Sequence, residues 1–256
     1  MNRHVSFALF LFFLFLILFS NQNIYAQQNT IPIPNVNISI QNAKNPSQVA
    51  SSLEILLLIS LLSLGPSLII SLTSYVRFII VFDFLKRGLG TQQMPPAQVM
   101  AGLAIFMTIF VMMPVFAQIN SDAIQPYMQG KLDLNGLYYK GIEPLRVFMF
   151  KVTRPADIAL FLRTANIERV NTYQDVPTYV LIPAFMLSEL KTAFNIGILI
   201  MIPFLLIDML VSATLMAMGM IMLPPIMISL PFKIIVFVLA DGWNLLVGSL
   251  LRSFPR

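Results

Sequence analysis

The run DMLVSATLMAMGMIMLPPIMISLPFK, Asp208 to Lys233, decides how this chain folds. It has an acid at one end, a base at the other and only uncharged residues between, with Gly219 near the middle and Pro224-Pro225 just beyond. If the chain turns back there, Asp208 and Lys233 are almost equidistant from the turn. Two apolar helices returning side by side then bring opposite charges to matching depth, and pairing offsets part of the cost of taking each out of water. The spacing predicts a helical hairpin closed by an Asp208–Lys233 clamp, a structural device rather than a proton relay. The turn carries Met216, Met218, Met220 and Met222. Methionine ordinarily fills gaps in apolar cores. A turn that merely faced water should be polar, however, and flexible thioethers concentrated here would also suit a deformable seal where several copies meet. The residues alone leave both readings open.

Working outward, the hairpin belongs to an apolar region, 178–256, in which Glu189, Lys191 and Asp241 are further charges and prolines recur at 183, 203 and 231. Intramembrane charges are costly and usually face a bundle interior or a wet path. Glu189 and Lys191 have an equally good alternative, which is to end a helix and snorkel at an interface. Upstream, 53–121 reads as a first helical hairpin. Arg77 is the one charge between Ile55 and Phe82, and Gly65-Pro66 should kink the helix. Ala97–Ile119 is uncharged and long enough to span a bilayer. Between the two lies a loop near 84–96 with Lys86 and Arg87, and basic residues in a short loop favour the cytoplasmic side. The segment 122–177 holds interleaved charges, with Leu145, Phe148, Met149 and Val152, then Ile158, Phe161 and Leu162, at helical spacing. It reads as a small extracytoplasmic helical domain. The fold class expected is therefore an all-α integral membrane protein of kinked helices and helical hairpins.

Composition agrees. The chain of 256 residues is 57% hydrophobic and 11% charged, against about 25% charged in an ordinary soluble domain. Residues 1–26 read as a cleavable signal peptide: a short basic start, an apolar run from Val5 to Phe19 too short to span comfortably, and a plausible cut after Ala26. An uncleaved anchor helix is the alternative. Residues 27–52, rich in Gln, Asn, Pro and Ser, read as an extracytoplasmic arm. There is no cysteine, and the one histidine, His4, lies in the leader. Disulfides, thiolate metal sites and cysteine nucleophiles are thereby excluded, and no imidazole remains in the mature chain for zinc or for acid–base work near neutral pH. The formal charge of +5 falls to +4 without Arg3 and is scattered, with no basic run dense enough to track nucleic-acid phosphates. The chain is expected to need no cofactor or metal and not to be an enzyme.

PSLIISLTSYVRFIIVF followed by LGTQQMPP, then IPAFMLSELKTAF, MAMGMIMLPPIMISLPFK and VFVLADGWNLLVGSL resemble the FliP family, core membrane components of the flagellar type III export gate. The likeness runs from about Leu53 to Leu250 in the right order. Injectisome subunits of the SctR family share PSL…TS, the Gln-Gln-x-Pro-Pro element and SLPFK, but Leu223-Pro224-Pro225, the LGTQQ loop and the long leader look flagellar. Asp83, Gly88 and Asn195 depart from the usual pattern. The resemblance implies a multi-pass protein of the cell inner membrane and flagellar basal body. Several copies, in a pentamer-like arrangement, would assemble with FliQ and FliR into a closed funnel through which unfolded flagellar proteins pass. FliO would assist assembly, and FlhB and FlhA would complete the apparatus. The apolar segments need not all lie in the bilayer, since the mature assembly stands largely above it. Carried over residue by residue, Met216, Met218, Met220 and Met222 form the gasket, and Glu189 and Lys191 fall where the family uses charges in subunit contacts.

A small-solute transporter is the nearest rival, since broken helices and buried charges are its signature. It would be expected to show internal repeats, and the two halves have no self-similarity. A scaffold that conducts nothing is the third reading.

Overall fold

Gly90, Pro95 and Pro96 set the first well-defined boundary. The computed structural model describes residues 55–254 apart from 58, 61–62, 66, 68, 92–93, 168–169, 171 and 221. Helix α1 (Tyr75–Leu89) ends at Gly90, whose φ of 76° only glycine adopts without cost and whose N–H reaches the Arg87 carbonyl. Lys86 and Arg87 thus lie in the last helical turn, where their charge meets the negative end of the helix dipole, and not in the loop expected at 84–96. Arg87 also pairs with Asp83 one turn back at 2.8 Å. The loop proper is confined to 90–96, and Pro96 caps α2 (Ala97–Ile119).

A π turn, Asn120–Ile124, joins α2 to the short α3 (Gln125–Met128). Asp133 then caps α4 (Leu134–Val152), accepting from the Gly136 N–H at 2.8 Å, and Pro155 opens α5 (Pro155–Thr164). Helix α6 (Thr178–Ala217) is followed by α7 (Pro225–Leu239) and α8 (Gly242–Arg252), the last two meeting at 64°. The leader (1–26), the arm (27–52) and Pro66 of the expected kink lie outside the described residues. The sharp break that is described comes later, at Thr73-Ser74, where Ser63–Leu72 meets α1 at 77°.

Helix α6 is the axis of the fold. Its 40 residues run about 60 Å, twice the roughly 30 Å of a bilayer's hydrocarbon core. Most of its buried positions, Val180 to Gly197, fall in the first half, packed against α1 around the fully buried Phe78, Val81, Phe82 and Leu85. Two glycines let α1 and α6 approach. A Cβ on Gly197 would sit 2.4 Å from the Phe84 ring, and one on Gly88 would sit 2.7 Å from the Phe204 ring. Each helix therefore lodges a phenylalanine in the other's glycine notch.

Phe148 and Met149 of α4 and Ile158 of α5 belong to this same core, so the helices of 122–177 pack into one body with the rest. In the second half of α6 Leu199, Leu206, Met209 and Leu210 stand exposed. Ala97–Met128 and Thr178–Ala217 are long and apolar enough to cross a membrane, and each bent pair would add one more crossing if it acts as a single span. Among the described residues there is no strand, and the fold is that of an all-α membrane protein.

Candidate functional site

The turn between α6 and α7 is built by a Schellman motif. The Met220 N–H reaches the Leu215 carbonyl at 2.9 Å and the Gly219 N–H reaches the Met216 carbonyl at 3.0 Å, with Gly219 at φ 75°. Pro224 and Pro225 then start α7, which supplies the fixed backbone angle a first turn needs. The methionines end up outward: Met216 is 64% exposed, Met218 65%, Met220 43% and Met222 98%. Within one chain they fill no core. A flexible apolar tip stands open at the end of two apolar helices.

Below the tip, Lys233 Nζ lies 2.6 Å from Asp208 Oδ2, and the Ser229 hydroxyl donates to Asp208 Oδ1 at 2.5 Å. Ser229 and Lys233 are buried. Both carboxylate oxygens of Asp208 thus have partners on α7. The clamp also touches α1. Lys233 Nζ would lie 3.7 Å from a Cβ at Gly90, an ordinary contact distance, so the ammonium sits beside the end of α1.

The other two charges of α6 have different partners. Glu189 is fully buried and accepts two hydrogen bonds from Arg77, from Nε at 2.8 Å and from Nη2. Arg77 in turn donates through Nη1 to the Ser253 carbonyl and hydroxyl at 3.1 and 2.7 Å, and its guanidinium stacks 3.8 Å from the Phe254 ring centre. Lys191 pairs with the buried Asp157, which also accepts from the Ser188 hydroxyl at 2.6 Å. Those hydrogen bonds, from Lys191 first and Ser188 second, hold the Asp157 carboxyl below its ordinary range. Because both charges are satisfied inside the protein, α6 runs past them without ending. Glu189 is enclosed by its own chain, whereas about half of the Lys191 side chain stays open.

Lys86 and Arg87 line a concavity at the end of α1 with Ala97 and Met100 of α2. In the sequence Arg77 reads only as a lone charge, and nothing there marks Asp157, Ser188 or Ser229. The usable signal was Arg77 itself: a single cation in an apolar stretch needs a buried acid, and α6 offers Glu189. Among the described residues no three His, Asp or Glu side chains are placed to hold a metal.

Residues 58–250 match the FliP family. The flagellar biosynthetic protein FliP of Bacillus subtilis is 49% identical over 217 residues, covering 85% of this chain and 98% of the relative. That of Treponema pallidum is 46% identical over 233 residues, 90% of this chain and 86% of the relative. That of Borreliella burgdorferi is 49% identical over 211 residues, 81% and 83%. With a match of that extent, through both the clamped hairpin and the α1–α6 core, this chain belongs to the FliP family.

Proposed function

We propose that this chain is a channel-forming subunit of the flagellar type III protein export gate, passing unfolded flagellar proteins across the inner membrane. It acts by assembly and not by catalysis. Several copies join FliQ and FliR, with FliO aiding assembly and FlhB and FlhA completing the apparatus. The observation that carries the reading is the methionine tip, exposed in the single chain and held out on a clamped hairpin. Apolar side chains so placed need cover, and copies arranged in a ring would supply it to one another at the axis.

A conduit wide enough for an unfolded chain leaks ions unless it closes at rest. A closure that must also yield suits unbranched methionine better than rigid β-branched residues. Met216, Met218, Met220 and Met222 form that seal. Of the two charges carried over as subunit contacts, Lys191 has the open face for it, while Glu189 serves its own chain. In this reading the leader is cleaved after Ala26, and 122–177 lies on the extracytoplasmic side.

Replacing Met218, Met220 and Met222 together with alanine tests the seal in the co-expressed complex. Assembly yield should hold while resting current in planar bilayers rises. Leucines at the same positions should leak less than alanines and slow secretion. An alanine variant that assembles and stays as ion-tight as the parent would remove the gasket role.

A further inference from the structure

Two concavities of opposite character meet at Ser253. One, of about 360 Å³, is cationic: Arg77, Lys151 and Arg252 line it with Thr192, and no acid does. Arg77 is spent on Glu189 and Ser253, but Lys151 and Arg252 carry no ion pair or hydrogen bond among the described residues. Arg154 adds charge from the side through its bond to the Thr192 hydroxyl at 3.3 Å. The other concavity, of about 550 Å³, is an apolar groove between α6 and the α7–α8 bend, walled by residues such as Leu199, Pro203, Val236 and Leu245. Ser253 lines both.

Along α6 they follow one face. Thr192 belongs to the cationic end, and Ile196, Leu199, Ile200 and Pro203 continue the strip into the groove at helical spacing. From Thr192 to Pro203 the strip is about 16 Å long. Two free cations in a recess, with a long apolar trough leading away from them, match one ligand chemistry: an acidic phosphate joined to a hydrocarbon chain.

We propose that this composite site binds an anionic glycerophospholipid, with the phosphate between Lys151 and Arg252 and one acyl chain laid along α6 in the groove. Free phosphate would satisfy the cations and leave the groove without purpose. A zwitterionic lipid would fill the groove but bring its own cation to the recess. The site is independent of the methionine tip.

The full chain, purified in a mild non-ionic detergent, would be titrated with dioleoyl phosphatidylglycerol, with dioleoyl phosphatidylcholine and with inorganic phosphate. Bound lipid would be read by native mass spectrometry and stabilisation by thermal melting. At about a fivefold gain per cation near a phosphate, phosphatidylglycerol should bind roughly thirtyfold more tightly than phosphatidylcholine. The double substitution Lys151→Ala with Arg252→Ala, both exposed side chains, should erase that preference. Leu199→Trp, or Leu245→Trp if the first lowers helicity, should block the groove and weaken both lipids. Equal affinity for the two lipids would overturn the proposal, as would a preference that survives loss of both cations or lipid binding unaltered by a filled groove. Inorganic phosphate that stabilises the chain as strongly as phosphatidylglycerol would assign the recess to a free ion and overturn the lipid.

Discussion

Glu189→Gln should be among the most damaging single-atom changes available in this chain. The carboxylate is fully buried and takes two of the Arg77 donors, one at 2.8 Å. Arg77 itself is 2% exposed. Removing the acid's charge leaves a guanidinium enclosed without its counter-charge, which costs about 3–5 kcal/mol. For a chain of this size that lowers the melting midpoint by about 6–20 °C, at roughly 2–4 °C per kcal/mol. Thermal unfolding of the isolated chain in detergent, followed by helicity, reads it directly. Arg77→Met with Glu189→Leu removes both charges and should recover much of the loss. It does not recover all, because Arg77 also holds Ser253 and stacks on Phe254, contacts worth about 2 kcal/mol together. If Glu189→Gln melts within about 2 °C of the parent, less than 1 kcal/mol, the buried pair is not holding α1 to α6 and the reasoning fails. A loss of complex yield with an unchanged melting midpoint would instead place Glu189 at a subunit boundary.

The glycine notches make a second test: Gly197→Ala sets a Cβ 2.4 Å from the Phe84 ring and should cost about 1–3 kcal/mol, with Phe84→Leu restoring part of it in the same melting assay. Asp157 predicts a pH dependence. Its folded carboxyl is held below the ordinary 3.8, so its stabilisation is complete above that value and is lost as pH falls through the lowered one. The stability gap between the parent and Asp157→Asn should accordingly be constant above 3.8 and close in more acid solution. For the hairpin, Asp208→Asn or Lys233→Met alone should lower the yield of assembled complex, and exchanging the two, Asp208→Lys with Lys233→Asp, should restore some of it. An exchange as poor as the worse single variant would show that the two do not act as partners.

What could be read in advance, and what could not, follows the reach of each interaction. Asp208 and Lys233 face each other across a turn marked by Gly219 and two prolines, so their partnership needs only local geometry. Arg77 and Glu189 are 112 residues apart. No periodicity joins them, and without the partner Glu189 reads as a helix end. The same absence misplaced Lys86 and Arg87: their charge suggested a loop, whereas Gly90 after two basic residues is the ordinary signature of a helix that stops there. The helices of 122–177 were legible from apolar spacing. That their apolar faces would join the α1–α6 core was not, since periodicity shows which face is buried but not against what.

The methionines were the hardest to read, and the reason is chemical. Met suits a core and a yielding contact equally well, so composition cannot choose between them. Burial can. The costly groups of the apolar helices, Arg77, Glu189, Ser229 and Lys233, are turned inward and bonded within the chain. Met216, Met218, Met220 and Met222 are turned out. A chain short of apolar filler would do the reverse. With these charged groups already paired and its α1–α6 core closed by phenylalanine on glycine, the exposed tip adds nothing to the core of the single chain. Its apolar surface gains stability only when other surfaces cover it.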